Sequence, residues 1–237
     1  MDQNQIHTST VTAGPATGES HLHHGRNDFE VDMRILRLQL GAMSGRCRDQ
    51  LHRALEAFRS GSGEKAADVC ESDHRIDWDE KNIDGLILRV LALRQPVASE
   101  LRRLTASLKV VTDLERIGDE AVDIARAIGT AFGPLKPVPE VLWQLAEKAE
   151  NMVDCAVRSY LSEDGERASQ VLDDDATVRA LHGRVLEELV NGIVHGAEVA
   201  PALRCLQVAR CLERTGWHAT NIAIGTQFVL GHGEMPR

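Results

Sequence analysis

Residues 113–124 read DLERIGDEAVDI, and residues 211–222 read CLERTGWHATNI. Six of the twelve positions are identical: Leu114/Leu212, Glu115/Glu213, Arg116/Arg214, Gly118/Gly216, Ala121/Ala219 and Ile124/Ile222. Around the first stretch the apolar positions are Val110, Leu114, Ile117, Ala121, Ile124 and Ile128, in steps of four and three. Val208, Leu212, Thr215, Ala219 and Ile222 repeat that phase. Such spacing puts every apolar side chain on one stripe of an α-helix. A helical stripe that recurs with its polar neighbours marks an internal duplication. The middle helix of each half repeats as well, with Asp73-x-x-Ile76 matching Asp175-x-x-Val178.

Working outward, the punctuation sets the remaining elements. Ser60-Gly61-Ser62-Gly63 and Ser162-Glu163-Asp164-Gly165 are breaker clusters, and Arg94-Gln95-Pro96 interrupts a helix because the residue before proline is pushed out of the α region. Helices are expected over about 29–60, 64–93, 98–130, 140–162, 164–192 and 198–231, with Ile35, Leu38, Ala42, Leu51, Leu55 and Phe58 as the apolar positions of the first. The segment GTAFGPLKPVPE (129–140) is the best linker in the chain. Long helices with short joins pack antiparallel. The expected fold is therefore all-α: two tandem antiparallel three-helix bundles over 28–133 and 134–237, behind a polar, aperiodic tail over 1–27 that reads as disordered. Histidines 21, 23 and 24 in that tail read as inert.

The composition narrows the function. The 237 residues carry a formal charge of −9, are 43% hydrophobic and only 3% aromatic. Few aromatics argue against a β-sandwich. The acidic balance argues against nucleic acid, whose phosphates need Lys and Arg. Five cysteines at irregular spacing read as reduced thiols, and neither a signal peptide nor a membrane span is evident, so a cytoplasmic protein is expected. No nucleophile motif or glycine-rich phosphate loop is present, and no catalysis is expected.

The charge is concentrated. Glu71–Asp84 holds six acids and two bases, and Asp113–Asp123 holds five acids and one base. These two stretches account for nearly the whole of the −9. In the third helix Glu115, Asp119 and Asp123 are spaced i, i+4, i+8; in the second, Asp73, Asp77, Glu80 and Asp84 are spaced i, i+4, i+7, i+11, within about 60° of arc. Like charges at this spacing repel, and bound cations relieve the repulsion. Oxygen-only donors suit hard ions such as Mg²⁺, Mn²⁺, Ca²⁺ or iron. The other reading of the spacing is a solvated acidic face, with Arg75, Lys81 and Arg116 in reach. The second half lacks the stripes. It has Asp175, Arg179, His182 and Leu186 for the first set, and Glu213, Trp217 and Asn221 for the second. His182 and Glu213 could hold at most a weak ion. Glu71-x-x-His74 is a single motif where a di-iron bundle needs two. Cys205 and Cys211 read as interior, and Trp78 and Trp217 as core residues or interface anchors.

From about Phe29 to Gly231 the chain resembles the PhoU family of phosphate-signalling regulators. The resemblance rests on Arg94–Arg102 (RQPVASELR), on Leu114–Asp119 (LERIGD), and on Leu212–Gly216 with Ala219–Ile222, which are similar to the family's LERIGDHATNI signature. It implies two three-helix bundles with acidic metal-binding faces. By position the metal motifs fall on Asp73, Asp77, Glu80, Asp84, Glu115, Asp119 and Asp123. The ion would be iron, manganese, magnesium or zinc. The resemblance also implies a cytoplasmic, peripheral, dimeric protein that reaches the membrane only through its partners, a phosphate ABC transporter ATPase and a sensor histidine kinase. Its role would be to repress the phosphate-starvation response. Trp217 departs from the motif aspartate, which removes the expectation of a second metal cluster.

Overall fold

A computed structural model describes residues 18–129 and 138–235. Every element is helical: α1 (Gly18–Ser60), α2 (Gly63–Ser72), α3 (His74–Arg94), α4 (Ala98–Arg126), α5 (Glu140–Ser162), α6 (Gly165–Val194) and α7 (Val199–Val229). The turns fall where the breakers sit. Ser62 and Asp164 cap α2 and α6 by accepting from the backbone N–H groups of Lys65 and Arg167. Glu100 reaches back to accept from the Val97 N–H at the start of α4. Gln95 and Glu163 close α3 and α5 in the left-handed region.

Two boundaries differ from the expectation. α1 starts at Gly18, so the last ten residues of the segment expected as a tail are helical, and the rest of it lies outside the described residues. No proline stands between Gly18 and Phe29 to stop the helix running back. The expected linker lies largely at 130–137, also outside the described residues. The single helix expected over 64–93 is interrupted at Asp73. Asp73 keeps right-handed dihedrals, and its carbonyl accepts from both the Ile76 and the Asp77 N–H. The interruption is one tightened turn, and neither proline nor glycine marks it.

Two sets of contacts give the topology. Cys47 donates to the Leu114 carbonyl and Gln50 to that of Gly118, so α1 and α4 run parallel, with α2 and α3 returning between them. Ser159 and Thr226 make the equivalent contact between α5 and α7. α1 then lies antiparallel to α5 through Arg37–Glu163, Arg48–Asp154 and His52–Glu150. α4 lies antiparallel to α7, and the buried side chains of both bundles form one continuous core. The halves are thus related by an approximate two-fold axis.

The duplication is visible in packing. Where a Cβ on Gly118 would sit, Ile76 Cδ1 is 3.0 Å away; where one on Gly216 would sit, Val178 Cγ1 is 3.0 Å away. The glycine of each LERxG motif lets the middle helix approach the third, and the apolar residue of each Asp-x-x-Ile/Val motif fills the gap. One sequence expectation fails on α1. Its buried face is Leu36, Leu40, Met43, Cys47, Leu51, Ala54, Leu55 and Phe58, whereas Ile35, Leu38 and Ala42 lie on the exposed side. Both registers have helical spacing, and only the neighbouring helices decide between them.

Candidate metal face and the seam between the bundles

The groove between α3 and α4 gathers carboxylates. Packing of Ile76 against Gly118 sets the two helices close and brings Glu80 level with Glu115. Glu115 is pushed up to about 7 by burial, then by Asp119, with Glu80 and Asp77 adding to the push and Arg116 opposing it. Asp73 and Glu80 are raised for the same two reasons, burial first and neighbouring carboxylates after; Asp84 is raised by burial alone. Glu115 Oε2 is buried and accepts no hydrogen bond. Arg116 Nε lies 3.4 Å from it outside hydrogen-bonding geometry. A buried carboxylate oxygen without a donor is costly unless a cation supplies the missing partner. Oxygen donors in a half-buried groove are the donor set a hard cation takes.

The seven sequence candidates do not behave alike. Glu115 lies in the field of Asp119, Glu80 and Asp77, and Asp73 in that of Asp77 and Asp119. Asp73 is also held by Gln50 Nε2 at 2.8 Å, and Asp119 by Arg116 at 3.0 Å. Asp123 turns away from the groove to Arg126 and Arg214. Asp73, Asp119 and Asp123 are thus each drawn to a different partner.

A second polar cluster, which the spacing did not reveal, lies in the α4–α7 seam. Asp113 Oδ1 accepts from His218 Nδ1 at 2.8 Å and from Asn221 Nδ2 at 3.1 Å, and all three residues are buried. The duplication carries Asp113 onto Cys211, His218 onto Glu120 and Asn221 onto Asp123. Glu120, Asp123 and Cys211 indeed meet across the seam, the one set of three ligand-type groups within 4.8 Å of one another among the described residues. Arg214 already lies on that set, 2.6 Å from Glu120 and 3.5 Å from Asp123. Burial pushes the Cys211 thiol up to about 12, so it stays protonated. Asp79 was missed in the same way: it is buried in α3 and paired with Arg46 of α1.

In the second bundle the groove residues lie against one another. Arg179 pairs with Asp175 at 2.6 Å, and His182 Nδ1 lies 3.4 Å from Glu213. Trp217, in place of Asp119, is 53% exposed, and Trp78 is 65% exposed; neither is a core residue. Cys205 and Cys211 are interior, as expected. His74 rests on the Glu71 carbonyl of its own turn.

Fold and site together define a class: a duplicated helical-bundle protein with an acidic groove in one half. The PhoU domain family matches residues 40–128 and 142–225, and the chain belongs to the PhoU family. It is 31% identical over 208 residues to a phosphate-specific transport system accessory protein PhoU homolog of Clostridium acetobutylicum, covering 86% of this chain and 95% of that one. It is 35% identical over 208 residues to the corresponding homolog of Pseudomonas aeruginosa, covering 86% of each. The crystal structure of PhoU from Pseudomonas aeruginosa superposes with a TM-score of 0.80 at 31% identity, over 86% of this chain and 99% of that one. That of the phosphate transport system regulatory protein PhoU from Streptococcus pneumoniae gives 0.82 at 21% identity, over 88% and 99%, a likeness of fold.

Proposed function

We propose that this chain regulates phosphate uptake and the response to phosphate starvation, working on the cytoplasmic side through contacts with a phosphate ABC transporter ATPase and a sensor histidine kinase. Metal on the acidic groove of the first bundle is part of this reading. The relatives' name, accessory protein of phosphate-specific transport, supports the regulatory role. The observation that carries the metal is the buried Glu115 Oε2, which accepts no hydrogen bond, among Asp77, Glu80 and Asp119. Those four, with Asp73 between α2 and α3 and Asp84 from α3, would hold the ion. A bound cation supplies positive charge between the two helices. The chain's own residues hold the groove open to it: Gln50 fixes Asp73, and Gly118 sets the spacing.

Metal content of the purified full chain, resupplied with iron, manganese, magnesium or zinc in turn, tests the site. The wild type is expected to retain an ion that Glu115→Gln/Asp119→Asn loses, and a metal-free wild type after resupply overturns the metal reading. Deleting the gene is expected to derepress phosphate-responsive transcription in ample phosphate. Unchanged transcription overturns the regulatory reading while leaving the metal reading standing. Among the described residues no helix is long and apolar enough to cross a membrane, which fits action through membrane partners.

A further inference from the structure

α1 and α3 enclose a second groove, on the side of α3 away from the carboxylates. Arg75 and Asp79 stand roughly 150° round α3 from Asp77, Glu80 and Asp84, with Ile76 between the two sets. The groove has a volume of about 290 Å³. Three arginines line it, Arg46 and Arg53 of α1 and Arg75 of α3, against a single acid, Asp49. Their guanidinium groups are largely uncommitted. Arg46 donates its Nε to the buried Asp79, which fixes the plane of the fork and leaves both terminal nitrogens without a partner among the described residues. Arg53 lies 3.7 Å from Asp49, beyond hydrogen-bonding distance. Arg75 is exposed and makes no ion pair among the described residues. A Cβ on Gly45, also in the lining, would meet nothing within 4 Å, so the space over α1 is open there.

The duplication supplies a control. The register that carries Asp73 onto Asp175 carries Arg46, Arg53 and Arg75 onto Lys148, Cys155 and Thr177, and Gly45 onto Glu147. The one cation left, Lys148, is paired with Asp174 at 2.5 Å. Only the first half gathers unpaired cations between its first and middle helices. We propose that this groove binds a phosphoryl dianion, either free inorganic phosphate or the terminal phosphate of a small molecule. Like charges facing one another across a groove repel, and an anion between them relieves the repulsion. Planar guanidinium forks present paired N–H donors that match a tetrahedral oxyanion. Arg46 is preoriented by Asp79, and Arg53 and Arg75 reach the ligand from the two helices, so the bound anion ties α1 to α3. No aromatic side chain lines the groove to seat a base. This inference goes beyond the regulatory reading and does not depend on the metal.

Isothermal calorimetry on the full chain tests it, with a chelator present so that no phosphate is held through an ion in the acidic groove. At an ionic strength of about 50 mM, inorganic phosphate is expected to bind with a Kd below about 1 mM, and to bind more weakly as chloride is raised. Arg75→Glu and Gly45→Glu, both at exposed positions, are each expected to weaken binding about tenfold with helicity and melting temperature unchanged. Arg184→Glu makes the same charge change at an exposed position of the second bundle and is expected to bind as the wild type does. Glycerol phosphate tells the two sources apart. Affinity within about threefold of that for phosphate assigns the site to a phosphoryl group on a carrier, and loss of binding assigns it to the free ion; either result supports the oxyanion site. A wild type that shows no binding by calorimetry or ³¹P line broadening up to about 10 mM phosphate overturns the proposal. So does binding unchanged in either groove variant, or an equal loss in Arg184→Glu.

Discussion

His218 of α7 lies 2.8 Å from Asp113 of α4, buried in the seam that joins the two bundles. Asn221 shares the same carboxylate oxygen. Asp113→Ala strips two buried donors of their acceptor, and the cost expected is about 2–4 kcal/mol. Chemical denaturation measures it. Asp113→Asn, which keeps a carbonyl oxygen in place, should cost less than half as much. Equal losses for the two variants would mean that packing, not the shared acceptor, holds the seam.

Glu115 gives the protein a pH dependence of stability whose sign follows from burial. Its carboxyl is pushed up to about 7 from an ordinary value of 4.5. Between these values the folded state binds more protons than the unfolded chain, so metal-free stability falls as pH rises from about 5 to about 7 and levels off above. Glu115→Gln should flatten that decline and raise the melting temperature at pH 8 by roughly 2–4 °C. A melting curve series from pH 5 to pH 8 checks both. A decline of undiminished slope in the variant would assign it to other groups.

Gly118 and Ile76 should behave as a coupled pair. Alanine at 118 favours a helix by about 1 kcal/mol over glycine, but its methyl would press on Ile76 Cδ1 at 3.0 Å. Ile76 is almost wholly buried and cannot swing aside. Overpacking of this kind costs about 1–3 kcal/mol, so Gly118→Ala should be neutral to destabilising. Ile76→Val alone should cost about 1 kcal/mol, yet in the Gly118→Ala background it should stabilise. The second bundle already has that shorter side chain, Val178, facing Gly216. A double-mutant cycle with strictly additive effects would contradict the contact.

The architecture was legible because its determinants are local. Helical period, breaker clusters and the LERxG repeat are all visible within short windows, and they gave six helices in two bundles. Asp73 was not legible as an interruption, because a tightened turn needs no special residue type. Ile35, Leu38 and Ala42 were misassigned because α1 has two stripes of helical spacing. The groove was legible as a pattern of carboxylates on facing helices. Asp123 was counted with it because i+8 spacing continues a stripe in one helix, while Arg214, which draws it away, stands 91 residues later. Glu120 and Asp113 were invisible for the same reason. Their partners come from the other half, and only the offset between the repeats would have paired them.

The seam shows why the two halves, though copies in origin, cannot stand in for each other. Were α7 a faithful duplicate of α4, aspartate would stand at 211, glutamate at 218 and aspartate at 221. Buried carboxylates would then face buried carboxylates twice along the seam. Cys211, His218 and Asn221 remove that conflict. Two first halves brought together on their own would meet it undiminished. A chain cut in the linker should therefore reassemble only by pairing unlike fragments.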